Sequence, residues 1–545
     1  MSDRGVELLS VAVLSPSRPF PWLLVGVGLL AAGAAVAAVV AAAMMMSSVR
    51  PLSAHHFLAG GAARGPSSTG RPSSRASARA AGTTGASPTT GKTGRAGTAA
   101  VSAGPGSTAN ATPGATTGPV GDVAAAQACG GVCIDVDANH ALGPARLVAQ
   151  GFIHGVDSST NPQLLSVLHP QSWLFEENEA AYSAARAQNA TVTDILSDDW
   201  YRATYTPGHG SGVPPWTDWH AYAQWVQAYV RATLADHHVD YWDIQNEPDG
   251  PIDGVRPTVS EVLQEFSVAA NAIRSVDPSA KVMGPSLSAF NDRPGNTLDL
   301  ATFLDYVVAQ HVRVDALSWH EVGARVSPTE NPPDPQSVLI DVARARQLLA
   351  SRPGAGSPAI VINEYASVGT HLIPGWSVAW ISALEQAGVA AANRACWSEA
   401  HTTGQNECFN GGLDGLLVPG SGQPTAVFWV HAAYAQMTGE RIATSSPDST
   451  VSAFATRDGS TIRVLVGRHV RCSATNQGSC VPSAPVGSLP VTLRGPWPTV
   501  HVSVQRIAAQ PGAVADPPTS SYVTSGPIVL PEVADGDAYL VTIGT

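Results

Sequence analysis

Two glutamates stand where paired catalytic carboxylates would be placed. The run Val239-Asp240-Tyr241-Trp242-Asp243-Ile244-Gln245 is apolar, aromatic and β-branched, and it ends in Asn246-Glu247-Pro248-Asp249. Such a run reads as a buried parallel strand. Pro248 has no amide hydrogen to continue the ladder, so Asn246 and Glu247 fall at the strand's C-terminal tip. A second apolar run, Ala359-Ile360-Val361-Ile362-Asn363, ends in Glu364-Tyr365. Two carboxylates facing one another can divide a reaction. One, protonated, donates to a leaving oxygen; the other, ionised, attacks carbon, which is the pair that glycoside cleavage requires. Like charges close together push their pKa values apart and so assign the two roles.

The elements that must position these groups follow from hydrophobic spacing. Strands are predicted at 147–154, 172–175, 191–200, 239–249, 281–287, 314–322, 359–365 and 389–397. Helices are predicted at 161–168, 216–237, 257–275, 298–310, 335–351, 376–387 and 424–437. In the helix at 216–237, Trp219, Tyr222, Trp225, Val226 and Val230 recur at three- and four-residue intervals. Eight strands interleaved with these helices predict an α/β fold, a (β/α)8 TIM barrel over 126–439. Glu247 then ends the fourth strand and Glu364 the seventh, and both tips open into one mouth. The long connections after the third and eighth strands form its rim.

Beyond Gly439 the pattern shortens to alternating runs at 451–455, 461–466, 489–493, 500–507 and 538–543, separated by Gly, Pro, Asp and Ser. This predicts a C-terminal antiparallel β-sandwich over 440–545, to which 132–136 could contribute a strand. At the other end, residues 1–21 form a short tail with Arg4 and Arg18. Residues 22–46 then run 25 residues without a charge, long enough to span a bilayer as a signal anchor. Small residues at Ala41 and Ala43 leave a cleaved signal as the alternative. Residues 47–125 are rich in Ser, Thr, Gly, Ala and Pro and read as a disordered stalk. A coil of that length averages about 45–50 Å end to end.

Six cysteines fall into the sequence-local couples Cys129/Cys133, Cys396/Cys408 and Cys472/Cys480. That spacing fits disulfides in an oxidising compartment. It places the large C-terminal part outside the cell, with the N-terminal tail in the cytoplasm. No zinc-type spacing accompanies the cysteines, and no metal or cofactor is implied. The net charge of −12 excludes a basic nucleic-acid footprint. Nothing in the sequence bears on oligomeric state.

Asn246-Glu247-Pro248 after a fourth strand, with Glu364 ending a seventh, resembles the retaining glycoside hydrolases of clan A. The nearest resemblance is to glycoside hydrolase family 39, which pairs a barrel with a β-sandwich and carries Asn-Glu-Pro as its acid/base motif. Ala316-Leu317-Ser318-Trp319-His320 resembles that family's sixth-strand segment. The resemblance implies that Glu247 is the acid/base, Glu364 the nucleophile and Asn246 a partner of the sugar 2-hydroxyl. It implies that His320 and Tyr365 orient or tune Glu364. Gln171-Ser172-Trp173-Leu174 departs from the pattern, lacking the arginine expected near the end of the second strand.

Trp200, Trp319 and Trp397, at predicted strand ends, are candidate sugar-stacking walls, with barrel packing as the alternative. His154 could bind a substrate hydroxyl or be a structural histidine. Asp198 and Asp199 read as rim hydrogen-bonders, and Asp135 and Asp137 as solvent-facing. The reading is a retaining glycosidase acting on an extracellular or cell-wall carbohydrate. The alternatives are a surface carbohydrate-binding protein without turnover and a transglycosylase sharing the first step. Peptide mapping without reductant is expected to recover three local disulfides; free thiols throughout would exclude the extracellular placement.

Overall fold

The computed structural model describes residues 132–175, 179–196, 214–250, 257–295, 297–322, 335–367, 370–397, 408, 410–469 and 487–545. The expected tail, membrane anchor and stalk lie outside the described residues. Among the described residues no helix is long and apolar enough to cross a membrane.

In chain order the first nine strands are β1 (Ile134–Pro144), β2 (Gly151–Ile153), β3 (Ser172–Phe175), β4 (Thr191–Ile195), β5 (Tyr241–Asp243), β6 (Val282–Leu287), β7 (Ala316–Glu321), β8 (Ala359–Tyr365) and β9 (Ala391–Arg394). The helices are α1 (Pro162–Leu168), α2 (Glu179–Gln188), α3 (Trp219–Asp236), α4 (Val259–Val276), α5 (Leu300–Ala309), α6 (Ser337–Ala350), α7 (Pro374–Ala387) and α8 (Ala426–Ala435). A short hairpin, β10 (Leu417–Val418) and β11 (Gln423–Pro424), precedes α8. The rest is sheet: β12 (Glu440–Ser445), β13 (Val451–Asp458), β14 (Thr461–Arg468), β15 (Leu489–Arg494), β16 (Val500–Ile507), β17 (Thr519–Thr524), β18 (Ile528–Leu530) and β19 (Ala538–Gly544).

Strands β2 to β9 close, in sequence order and all parallel, into the expected barrel. Alternation sorts its side chains. Leu317, Trp319, Ile360 and Ile362 face outward into the large core shared with the helices. Met283, Ala316 and Val361 form a small cluster of their own inside the barrel. Local sequence sets the helix starts. Asp218 caps α3 through the amides of His220 and Ala221, and Thr258 with Glu261 forms a capping box on α4. Helix α2 was not foreseen. Its apolar face is Ala181, Tyr182 and Ala185, a weak signal made mostly of alanine.

The C-terminal region is one nine-stranded mixed sheet, ordered β17-β16-β19-β14-β13-β12-β1-β15-β18, rather than a purely antiparallel sandwich. Strand β1 makes it mixed: it runs antiparallel to β12 and parallel to β15. One core gathers Leu489 and Leu530 from near one end and Val502 and Val504 from near the other, so the sheet folds over on itself. The opposite face is also buried. Ala453, Val464 and Val541 enter the sheet's own core, while Phe454, Leu465 and Leu540 enter the barrel's. The expectation that Asp135 faces solvent is corrected. Asp135 is 2% exposed, and Arg494 grips both its oxygens, at 2.9 and 2.5 Å; Asp137 lies 3.8 Å from the same guanidinium.

Helix α7 docks on β14 at backbone distance. A Cβ on Gly467 would lie 2.6 Å from the carbonyl oxygen of Gly375, and one on Gly375 would meet the Arg468 carbonyl still more closely. Gly467→Ala is therefore expected to lower stability by about 1–3 kcal/mol through overpacking. Chemical denaturation checks this, and an unchanged midpoint would show that the helix can move aside.

Candidate active site

The site is assembled at the C-terminal ends of the barrel strands. At four of those ends the backbone takes a left-handed conformation at a non-glycine residue: His154 (φ 45°), Glu247 (φ 49°), Ser286 (φ 55°) and Ala366 (φ 81°). Such conformations cost about 1–3 kcal/mol each and are held only where the surroundings fix them. Glu247 is fixed on two sides. Its amide donates to the Ser286 carbonyl at 2.9 Å, and its carbonyl accepts from the Gly250 amide at 3.0 Å. Asp249 then ties this turn to the next strand end, accepting from the amide and hydroxyl of Ser288, both at 2.8 Å.

Glu364 reaches the mouth by a different device. Trp319 pairs with Ile362 but His320 pairs with Glu364, so Asn363 is an extra residue in β8. This β-bulge interrupts the alternation. Ile362 faces the outer core and Asn363 turns inward to Asp243. Glu364, which strict alternation would send outward, stands beside His320.

His320 lies between the two glutamates. Its Nδ1 is 3.2 Å from Glu247 Oε1 and 3.6 Å from Glu364 Oε2, and its side chain has no exposed surface. Burial alone would lower its pKa. The charge of Glu364, the hydrogen bond and charge of Glu247 and the charge of Asp243 outweigh that and raise it to about 9. Glu247 moves the other way. Desolvation pushes it up, but the hydrogen bond and charge of His320 prevail and hold it below its usual value. The expected mutual repulsion of two carboxylates is thus answered by a cation placed between them. Glu247 keeps 47% of its side chain exposed, so one face stays open to the mouth.

The remaining expected site residues divide. Asn246 is half-buried beside Glu247. Trp397 is half-buried just past β9, and its Nε1 donates to the Ala366 carbonyl at 3.3 Å, two residues beyond Glu364. His154 is 6% exposed at the tip of β2. Its neighbour Gly155 is bonded to Cys408 and Leu413 of the connection that follows β9. That connection is clasped by the Cys396–Cys408 disulfide. Cys133 is also disulfide-bonded; Cys129, Cys472 and Cys480 lie outside the described residues. Trp200, Asp198 and Asp199 also lie outside them.

Two expectations are corrected. Trp319 is fully buried in the outer core against Phe290 and donates to Glu321 at 2.8 Å, so it offers no wall to a sugar. Tyr365 turns away from Glu364. Its hydroxyl donates to the Ala149 carbonyl at 2.8 Å and its ring lies against Trp380. Alternation explains both, since each follows or precedes a residue that faces the mouth. Sequence reading missed Asp243, Ser286, Ser318 and Asn363, which form a buried polar network beneath the two glutamates. An acid inside an apolar strand was the available signal for Asp243. Among the described residues no group of three or more His, Cys, Asp or Glu side chains is arranged so that it could hold a metal ion.

No family model matches this sequence, and no curated protein matches it. Solved structures do. N2152 from Neocallimastix frontalis aligns with a TM-score of 0.59 at 19% identity, over 76% of this chain and 99% of its own. A glucosidase from Croceicoccus marinus aligns with a TM-score of 0.54 at 17% identity, over 76% and 99%. A monomeric beta-xylosidase from Caulobacter crescentus gives 0.52 at 16% identity, with the same coverage. The chain has the fold of these proteins. Its structural neighbours thus include enzymes of the class that the strand-end glutamates resemble.

Because the folded-state pKa of His320 is raised, the stability it contributes is full below its ordinary value of 6.5. That stability is lost as the pH rises through about 9. Urea midpoints of the wild type are expected to fall across that interval, and His320→Gln should lose the dependence. A flat wild-type profile would contradict the charged histidine.

Proposed function

We propose that the chain is a retaining glycosidase acting on an extracellular carbohydrate by double displacement. The observation that carries this reading is the single ring nitrogen of His320 shared by two strand-end carboxylates, at 3.2 and 3.6 Å. The two oxygens can be no further apart than those lengths laid end to end. That ceiling accommodates the retaining separation of about 5–5.5 Å, which supports the retaining reading.

In the first step Glu364 attacks the anomeric carbon as the bond to the leaving oxygen breaks, and Glu247 delivers a proton to that oxygen. In the second step Glu247 takes a proton from water, whose oxygen attacks the same carbon and releases Glu364. The sugar leaves with its configuration retained. His320 Nδ1 lies 3.2 Å from Glu247 Oε1, so a protonated His320 can pass its proton to Glu247 before the first step and regain it from Glu247 after the second. Trp397, fixed over the exit from β8, offers a flat face to the sugar ring. Asn246, half-buried beside Glu247, would meet the neighbouring hydroxyl.

The neighbours' glucosidase and xylosidase names make aryl glucosides and xylosides the first substrates to try, within a panel that includes furanosides. The disulfide at the mouth supports action outside the cell. The uncharged run at 22–46 would tether the enzyme there, or be cleaved on export. With an activated fluorosugar, Glu364→Ala should lose covalent labelling while Glu247→Ala keeps it. Glu247→Ala should also lose about 10²–10⁴ in rate on substrates with poor leaving groups. The opposite labelling pattern would reverse the two roles, and no labelling or turnover of the wild type by any panel member would overturn the glycosidase reading.

A further inference from the structure

A third carboxylate links the two strand tips. Asp243 ends β5, points into the barrel and is 1% exposed. One of its oxygens accepts from the Ser286 hydroxyl, and the other accepts from Asn363 Nδ2 at 2.9 Å. Each partner leads to a different glutamate. Ser286 supplies the carbonyl that accepts the Glu247 amide at 2.9 Å. Its own left-handed backbone is pinned by donation from its amide to Ser318 Oγ at 3.2 Å. Asn363 is the extra residue of the bulge that brings Glu364 inward.

A carboxylate buried this deeply is sustained only where it is hydrogen-bonded and faces a positive charge. His320 supplies that charge. The charged groups acting on His320 are Glu364, Glu247 and Asp243.

We propose that Asp243 is a positioning residue of the active site, holding the turn that presents Glu247 through Ser286 and the bulge that presents Glu364 through Asn363. Asp243 does not meet the substrate. It sets the geometry of both groups that do, and its charge completes the carboxylate shell around His320. The inference rests on the glycosidase reading for its catalytic consequence, but not for its structural one.

The test is therefore made on both levels with the full-length chain. Histidine-labelled wild type and Asp243→Asn are titrated by NMR, with the His320 signal assigned by its disappearance in His320→Gln. The His320 midpoint is expected to fall by about one unit or more in Asp243→Asn. On any substrate the wild type turns over, kcat of Asp243→Asn should fall about tenfold to a hundredfold from misplacement of the reacting groups, with KM little changed. If Asp243→Asn does not fold, Ser286→Ala and Asn363→Ala each remove one arm. Each should then lower kcat with KM held and shift the His320 midpoint. An unchanged His320 midpoint, or a loss of thermal stability alone, overturns the proposal whether or not the wild type is active. A wild type inactive on the whole panel overturns the glycosidase reading and leaves the titration to decide this one.

Discussion

A cation with no exposed side-chain surface is held between carboxylates at the mouth of this barrel, and most of the local architecture serves that arrangement. Taking a charge out of water costs several kcal/mol unless other charges and hydrogen bonds replace the lost hydration. His320 obtains that replacement from Glu247, Glu364 and Asp243, which come from the fourth and seventh barrel strands. The interaction constrains both strands at once. A strand end displaced by one residue would leave either the imidazole or a carboxylate buried without its counter-charge.

Two kinds of backbone irregularity make the constraint achievable. The bulge in β8 lets Asn363 and Glu364 both turn inward, and the left-handed backbone at Glu247 and Ser286 turns the chain at the ends of the fourth and fifth barrel strands. Neither is comfortable for an ordinary residue. Both are over-determined by hydrogen bonds to neighbouring strand ends, so the regular, well-packed barrel beneath stores the strain that the site needs.

The barrel was legible in the sequence because parallel strands buried on both faces leave long apolar runs, and because the helices other than α2 show an apolar stripe. The two glutamates were legible because each closes such a run. What could not be read was side-chain direction at the tips. Trp319 and Tyr365 carry the right chemistry for a sugar site, yet alternation sends Trp319 into the outer core and the Asn363 bulge sends Tyr365 there. The same alternation would have sent Glu364 outward, had the Asn363 bulge not intervened. A one-residue irregularity leaves no periodic trace, and left-handed Glu247 and Ser286 lack the glycine that usually announces such a turn. The sheet was only partly legible for a different reason. Its short strands β17 and β18 have little alternation, and the parallel β1–β15 pairing joins residues far apart in the chain.

That last pairing has a bearing on how the molecule is made. Strand β1 leaves the ribosome first, but its partners β12 and β15 come only after the entire barrel, and Asp135 meets Arg494 across a separation of 359 residues. Contacts of such long range are slow to form, because a large loop must close before any of them is made. During synthesis β1, whose Ile134, Val136 and Ala138 alternate with polar residues, is an unpaired strand attached to a growing barrel, a hazard for aggregation until its partners emerge. The sheet then acts as a clasp that joins the two ends of the folded region. Removing residues after β14 would therefore leave β1 paired with β12 alone, its other edge stripped of β15, and would take from the barrel the Leu540 of β19 that packs on it.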